Sequence, residues 1–207
     1  MEPLPGVRKV VRLKLVDSTQ LAARKLAEEG EPEGTLVWAD RQSAGRGRLD
    51  RKWVSGPGGL YISLILRPRI APKRLAELSL ASADAVAQAV NDLTGLKTAV
   101  KPPNDVMMQA AGGDFKKVCG ILIEASGGAE EVEWIVLGVG LNVNNKIAKT
   151  LPEASSLAAL AGREFDIGEV LRRVLESFQK RFQAFLTASN GHIERPFAPP
   201  TSEGSPG

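Results

Sequence analysis

The sequence predicts an α+β fold: a mixed, largely antiparallel sheet with helices packed on one side. Three observations carry that prediction. About six or seven short runs are rich in apolar and β-branched residues, several of them alternating. Late in this series, runs are joined by the short glycine turns Ala111-Gly112-Gly113-Asp114 and Ser126-Gly127-Gly128, which suit neighbouring antiparallel strands. Two longer stretches, 73–93 and 166–186, repeat apolar residues at helical spacing instead.

Taken in order, Val7 to Val16 reads as an opening strand, with Val11, Leu13 and Leu15 on one face and Arg12 and Lys14 on the other. Asp17 or Ser18 is a natural cap for a helix over 20–29, and Gly30 a natural stop. Strands are expected at 35–41 and 60–66. Pro68 and Pro72 then precede a long helix whose stripe is Leu75, Leu78, Ser82, Ala85, Val86, Ala89, Val90 and Leu93. A short strand at 98–101 runs into Pro102-Pro103, which end its ladder. Strands follow at 106–109, 115–125 and 133–139, then a short helix at 153–161. The last helix carries Ile167, Val170, Leu171, Val174, Leu175, Phe178, Phe182 and Phe185 on its apolar stripe. Trp38 and Trp134 are expected in the core. Residues 1–189 form one domain in this reading. Residues 190–207, rich in proline, glycine and serine, form a disordered tail.

Composition narrows the function classes. The chain has 207 residues, 27 basic and 24 acidic, and no unbroken basic run, so its charge does not argue for nucleic acid and no such partner is expected. Cys119 is the only cysteine, so no intramolecular disulfide framework exists and a reducing cytoplasm is expected. Met1 to Lys9 lacks the apolar centre of a signal peptide, and no apolar run reaches the roughly 18 residues of a membrane span. Nothing in the sequence pairs Cys119 with a catalytic base. His192 is the only histidine and lies in the expected tail, which leaves no histidine triad and no histidine metal site.

The unusual residues gather at strand ends: Asp17-Ser18-Thr19, Gln42 to Trp53, Asn104-Asp105 and Asn142-Val143-Asn144. The stretch Ala44-Gly45-Arg46-Gly47-Arg48-Leu49-Asp50-Arg51-Lys52-Trp53 combines turn-forming glycines with arginine forks suited to carboxylate or phosphate oxygens. Trp53 adds a flat apolar face. No Gly-Lys-Ser/Thr follows, so this is not a Walker phosphate loop. Strict alternation puts Lys117 on the face of Cys119 and Ile121, with Lys116 opposite. One lysine is then solvated and the other points inward, and spacing does not say which.

Taken together, these motifs resemble the catalytic domain of the biotin–protein ligases. The matching pieces are Asp-Ser-Thr at 17–19, Gln-Ser-Ala-Gly-Arg-Gly-Arg at 42–48 and Arg-Lys-Trp at 51–53. Lys-x-Pro-Asn-Asp-Val at 101–106, Lys-x-x-Gly-Ile-Leu at 117–122 and Gly-x-Gly-Leu-Asn-Val-Asn at 138–144 complete the set. The resemblance covers roughly residues 8 to 186. It implies a biotin pocket of Ser18, Thr19, Gln42, Arg46, Gly47, Arg48, Lys117 and Gly120. On the adenylate side it implies Arg48, Arg51, Trp53, Asn104, Asp105, Lys117 and Asn142, with Arg48 and Lys117 catalytic. The activity implied is ATP-dependent formation of biotinyl-5′-AMP, then transfer of biotin to a lysine of a biotin carboxyl carrier protein. Magnesium is expected to arrive with the nucleotide, with no metal ligated directly by assignable protein residues. No membrane partner is expected, and the oligomeric state, a homodimer included, stays open.

Three departures from the family pattern carry expectations. Pro102 stands where the family usually has a tryptophan, so an aromatic wall of the site should be missing. Nothing precedes the catalytic domain, so a ligase without a DNA-binding function is expected. A tail stands in place of a small C-terminal β-barrel, so the barrel is dispensable or transfer is impaired. The competing readings are a lipoate or octanoate ligase or transferase of the same architecture, and a biotin-binding module that has lost ligation.

Overall fold

A computed structural model describes residues 3–189; the tail expected over 190–207 lies outside the described residues. The elements are β1 (Lys9–Leu13), α1 (Thr19–Glu28), β2 (Thr35–Ala39), β3 (Leu60–Leu66), α2 (Leu75–Thr94) after a 3-10 turn at Pro72–Arg74, β4 (Thr98–Lys101), β5 (Asp105–Gln109), β6 (Phe115–Gly127), β7 (Val132–Leu141), α3 (Leu157–Ala161) and α4 (Ile167–Ser189). The strands form one seven-stranded sheet in the order β1-β2-β3-β7-β6-β5-β4. Only β1 and β2 pair in parallel, joined through α1; every other pair is antiparallel.

The sheet is built around β2 and β3, whose every residue is buried, beside the nearly as buried β7. Runs without polar alternation are what two covered faces require. One face packs on α2 and α4: Leu36, Trp38, Ile62, Leu64, Val106, Cys119 and Ile121 join the helix stripes there in the main core. Within it Phe178, Phe182 and Phe185 stack in succession, with ring centroids 5.3 and 6.3 Å apart. The other face carries α1, whose Ala23 and Ala27 pack on Val37, Ile65, Trp134 and Val136. The long helices thus share one side as expected, while α1 takes the opposite one. The continuous apolar runs left no alternation from which to read that second layer.

Several boundaries differ from the sequence reading. The opening strand stops at Leu13, and only an isolated bridge from Val16 to Gln42 continues it. The helix expected from Glu153 begins at Leu157, after Ser156, whose hydroxyl accepts from the Ala159 amide. Residues 153–155 run beside β6 instead: the Lys117 amide donates to Glu153 O (2.8 Å) and the Ser155 amide to Lys117 O (3.0 Å). Asp166 caps α4 through its carboxylate, 2.7 Å from the Glu169 amide. Among the described residues no helix is long and apolar enough to cross a membrane.

Phe182 is 4 % exposed at the centre of the ring stack. Phe182→Ala should lower stability by about 3–5 kcal/mol in urea titrations with an unchanged m-value. A loss below about 1 kcal/mol would show that α4 does not close this core.

Candidate active site

A cavity of about 750 Å³ opens on the α1 side of the sheet. Every site residue named from the sequence lines it: Ser18, Thr19, Gln42, Arg46, Gly47, Arg48, Arg51, Trp53, Asn104, Asp105, Lys117, Gly120 and Asn142.

One end is neutral and rich in hydrogen-bonding groups. Thr19, the first residue of α1, donates its amide (2.8 Å) and its hydroxyl (3.1 Å) to Gln42 Oε1. Gln42 Nε2 donates to Ser55 Oγ (2.8 Å), which ties this end to the arginine-rich loop. Ser63 Oγ, fully buried on β3, lies 3.0 Å from Thr19 Oγ1 and 3.1 Å from Gln20 Oε1, and donates to one of them. Ser18 stands at the cap position of α1, but its hydroxyl makes no cap bond; Asp17 Oδ1 instead accepts from the Ser18 amide (2.7 Å). Ser18 Oγ is left buried without a partner, on a residue that lines the cavity. An orphaned buried hydroxyl costs about 1–3 kcal/mol, which a polar ligand at this end would recover.

The floor depends on two glycines. Gly120 of β6 and Gly140 of β7 face one another across the ladder, and the Trp53 indole lies on them. A Cβ at Gly140 would come 2.6 Å from Trp53 Nε1, and one at Gly120 3.1 Å from Cζ3. The indole N–H is buried without a hydrogen-bond partner.

A β-bulge sets the position of Lys117. Val106 pairs with Cys119, but the next β5 residue, Met107, pairs with Lys117, so Val118 is an extra residue in β6. The insertion breaks alternation. It corrects the expectation that Lys117 shares a face with Cys119 and Ile121: those two stay in the main core, while Lys117 joins Gly120 and Met107 at the cavity. Lys117 Nζ lies 2.6 Å from Asp105 Oδ1 and 5.4 Å from the Trp53 ring centroid. Lys116 turns away and donates to Pro152 O (2.9 Å). Complete burial pushes the Cys119 thiol up, only partly opposed by the Lys117 charge, which disfavours a reactive thiolate there.

Asparagines hold the remaining walls. Asn104 Nδ2 donates to Ile121 O (2.8 Å), leaving its Oδ1 to accept from Arg48 Nη1 (3.3 Å). Asn142 donates to Ser155 O (3.1 Å) and accepts from Asn145 (3.0 Å), so it braces the segment after β7. Lys52, Lys101 and Lys146 add to the lining cations, whereas Asp105 and Glu153 are its carboxylates. The excess of positive charge favours a polyanion. Pro102 and Pro103 also line the cavity, in the stretch where the family motif would place its tryptophan.

Ser63, Gly138 and Lys146 also line the cavity and were not among the residues named. Ser63 did carry a signal: it is the lone serine within Leu-Tyr-Ile-Ser-Leu-Ile-Leu. Among the described residues no group of three or more acidic, cysteine or histidine side chains could hold a metal.

With this geometry in hand, the comparisons with known proteins are specific. The family model described as "Biotin/lipoate A/B protein ligase family" matches residues 13–142. The bifunctional ligase/repressor BirA of Bacillus subtilis is 39% identical over 178 residues, covering 84% of this chain and 53% of that protein. The biotin–[acetyl-CoA-carboxylase] ligase of Paracoccus denitrificans is 39% identical over 133 residues, covering 63% and 53%. The chain thus spans about half the length of these curated relatives. Among solved structures, the biotin protein ligase of Aquifex aeolicus in complex with biotin and ATP superposes with a TM-score of 0.73 at 36% identity, over 87% of this chain and 72% of that one.

The glycine floor makes a prediction. Gly140→Ala should lift the Trp53 indole, reddening its fluorescence, and weaken ligand binding in the cavity at least tenfold (about 1.4 kcal/mol), with little loss of fold stability. Unchanged emission and affinity would mean that the indole does not need this floor.

Proposed function

The chain belongs to the biotin/lipoate A/B protein ligase family, and from that premise we propose that it is a biotin–protein ligase that makes biotinyl-5′-AMP and passes biotin to a carrier lysine. The observation that carries this reading is the polarity gradient of one cavity. Its neutral end, Ser18, Thr19 and Gln42, suits a ureido ring, and its cationic middle, Arg48 and Lys117, suits a carboxylate beside a phosphate. The names of the Paracoccus denitrificans and Aquifex aeolicus proteins refer to biotin, which supports it further.

The chemistry follows from the charges. A biotin carboxylate and an ATP α-phosphate repel by about 4 kcal/mol at 4 Å and an effective dielectric near 20. Lys117 sits where it can contact both anions, with Asp105 fixing its ammonium, and Arg48 is held by Asn104 at the other side. The carboxylate oxygen attacks the α-phosphorus, the bond to the bridging oxygen breaks, and pyrophosphate leaves. Both cations stabilise the charge that builds on the phosphoryl oxygens. In the second step the carrier lysine, as a free amine, attacks the acyl carbon, AMP leaves with the electron pair, and the nitrogen loses a proton. The loop carrying Arg46 to Trp53 covers the mixed anhydride and keeps water from it. Magnesium would come with the triphosphate and offset its charge, with Glu153, the lining carboxylate that is not paired with Lys117, able to hold its waters. A biotin carboxyl carrier protein is the acceptor in this reading. ATP use and a single buried, unpaired cysteine fit the cytoplasm.

Biotin-dependent exchange of pyrophosphate into ATP tests the first step. The proposal expects exchange with biotin and none with lipoate or octanoate. Exchange with lipoate alone would move the substrate to the other branch of the family, and binding of biotin without exchange would leave a binding module. Lys117→Ala should reduce exchange by at least a hundredfold, in the range of removing one transition-state donor, while Lys116→Ala changes it less than twofold. Comparable losses from both lysines would contradict the placement of Lys117.

A further inference from the structure

We propose that Glu124, outside the cavity, is a positioning residue that moors the arginine-rich hairpin through Arg46; the inference rests on the ligase reading for what the hairpin covers. Residues 46–52 form a small hairpin closed by the bridge between Arg46 and Lys52 and by the Gly47 amide, which donates to Arg51 O (2.7 Å). At its tip Leu49 and Asp50 both have positive φ, 54° and 57°, and Leu49 is 82 % exposed. Nothing in this hairpin buries a large apolar side chain. Among the described residues its side chains reach the body of the domain through two polar contacts only. Arg48 meets Asn104 at 3.3 Å, and Arg46 Nη1 meets Glu124 Oε1 at 3.5 Å.

The two contacts are unequal. The Arg48 contact is exposed, and the proposed substrates compete for that guanidinium. Glu124 instead lies on β6 opposite Val136, on the same side of the strand as Gly120 and Leu122, with only 23 % of its side chain exposed. Its second oxygen, Oε2, is buried without a hydrogen-bond partner. A carboxylate on an apolar strand is costly without a cation, and Arg46 is the cation that reaches it. Arg24 of α1 also feels the charge of Glu124, but it is held first by its hydrogen bond to Glu28. The opposing contact of Arg46, with Asp50, is longer, 4.0 Å, and ends on a 98 % exposed carboxylate. Glu124 therefore fixes the base of the hairpin to the sheet while the tip stays free to move. Holding that base keeps Arg48 and Trp53 over the cavity and slows escape of the bound ligand.

The test is a double-mutant cycle with Glu124→Gln, Arg46→Met and the pair. The readouts are tryptic cleavage at Arg48 and Arg51 without ligand, and release of biotin and of biotinyl-5′-AMP. Glu124→Gln keeps the size of the side chain and should speed both cleavage and release about fivefold, as loss of a half-buried charge pair would. The biotin KM should rise more than kcat falls. The double variant should be no worse than Arg46→Met alone. Effects that multiply in the double variant, or unchanged cleavage in Glu124→Gln, would overturn the tether. If the wild type neither binds biotin nor exchanges pyrophosphate, the ligase reading fails, and the ligand-free cleavage arm still decides whether Glu124 holds the hairpin.

Discussion

The site depends on one inserted residue. Val118 shifts the register of β6 against β5, and that shift decides which side of the strand carries chemistry. Without it, a strand that buries Cys119 and Ile121 would also send Lys117 into the apolar core, where an ammonium is heavily penalised. With it, Lys117 emerges beside Gly120 and meets Asp105, the first residue of β5. The same distortion frees the Lys117 backbone for residues 153–155, so one irregularity both aims the cation and anchors the segment that walls the cavity.

Around that point the fold supplies rigidity and the loops supply charge. The strands β2, β3 and β7 are covered on both faces, so groups at their ends are held by packed neighbours. The glycine pair at Gly120 and Gly140 leaves room for the indole, which a Cβ at Gly140 would displace and one at Gly120 would crowd. The hairpin from Arg46 to Lys52 has the opposite character: largely exposed, positively charged and held by one ion pair and one hydrogen bond. A packed pocket with an exposed charged cover suits the proposed reaction, whose intermediate must be sheltered from water and later exposed to an acceptor.

Much of this was legible in the sequence because the chemistry-bearing residues cluster at strand ends, and a sheet brings such ends together. Ser18, Gln42, Asn104 and Asn142 lie far apart in the chain and line one cavity. What alternation alone could not give was anything that depends on its failure. The face of Lys117 was hidden by the bulge. The side taken by α1 was hidden by strands apolar on both faces. Asn142 was legible as a site residue, but its part in bracing Asn145 and Ser155 rests on long-range hydrogen bonds that no local pattern encodes. Glu124 was overlooked because an acidic residue in Ile-Leu-Ile-Glu-Ala ordinarily marks a solvated strand position, and its partner lies far away at Arg46.

The most direct measurement of the account is a crystal structure of the chain with biotin and a non-hydrolysable ATP analogue. The account predicts the ureido ring against Ser18, Thr19 and Gln42, and the carboxylate and α-phosphate within hydrogen-bonding reach of Lys117 and Arg48. A biotin bound with its carboxylate at the Ser18 end, or lodged in the separate cleft formed by Arg12, Trp38 and Arg41, would contradict it.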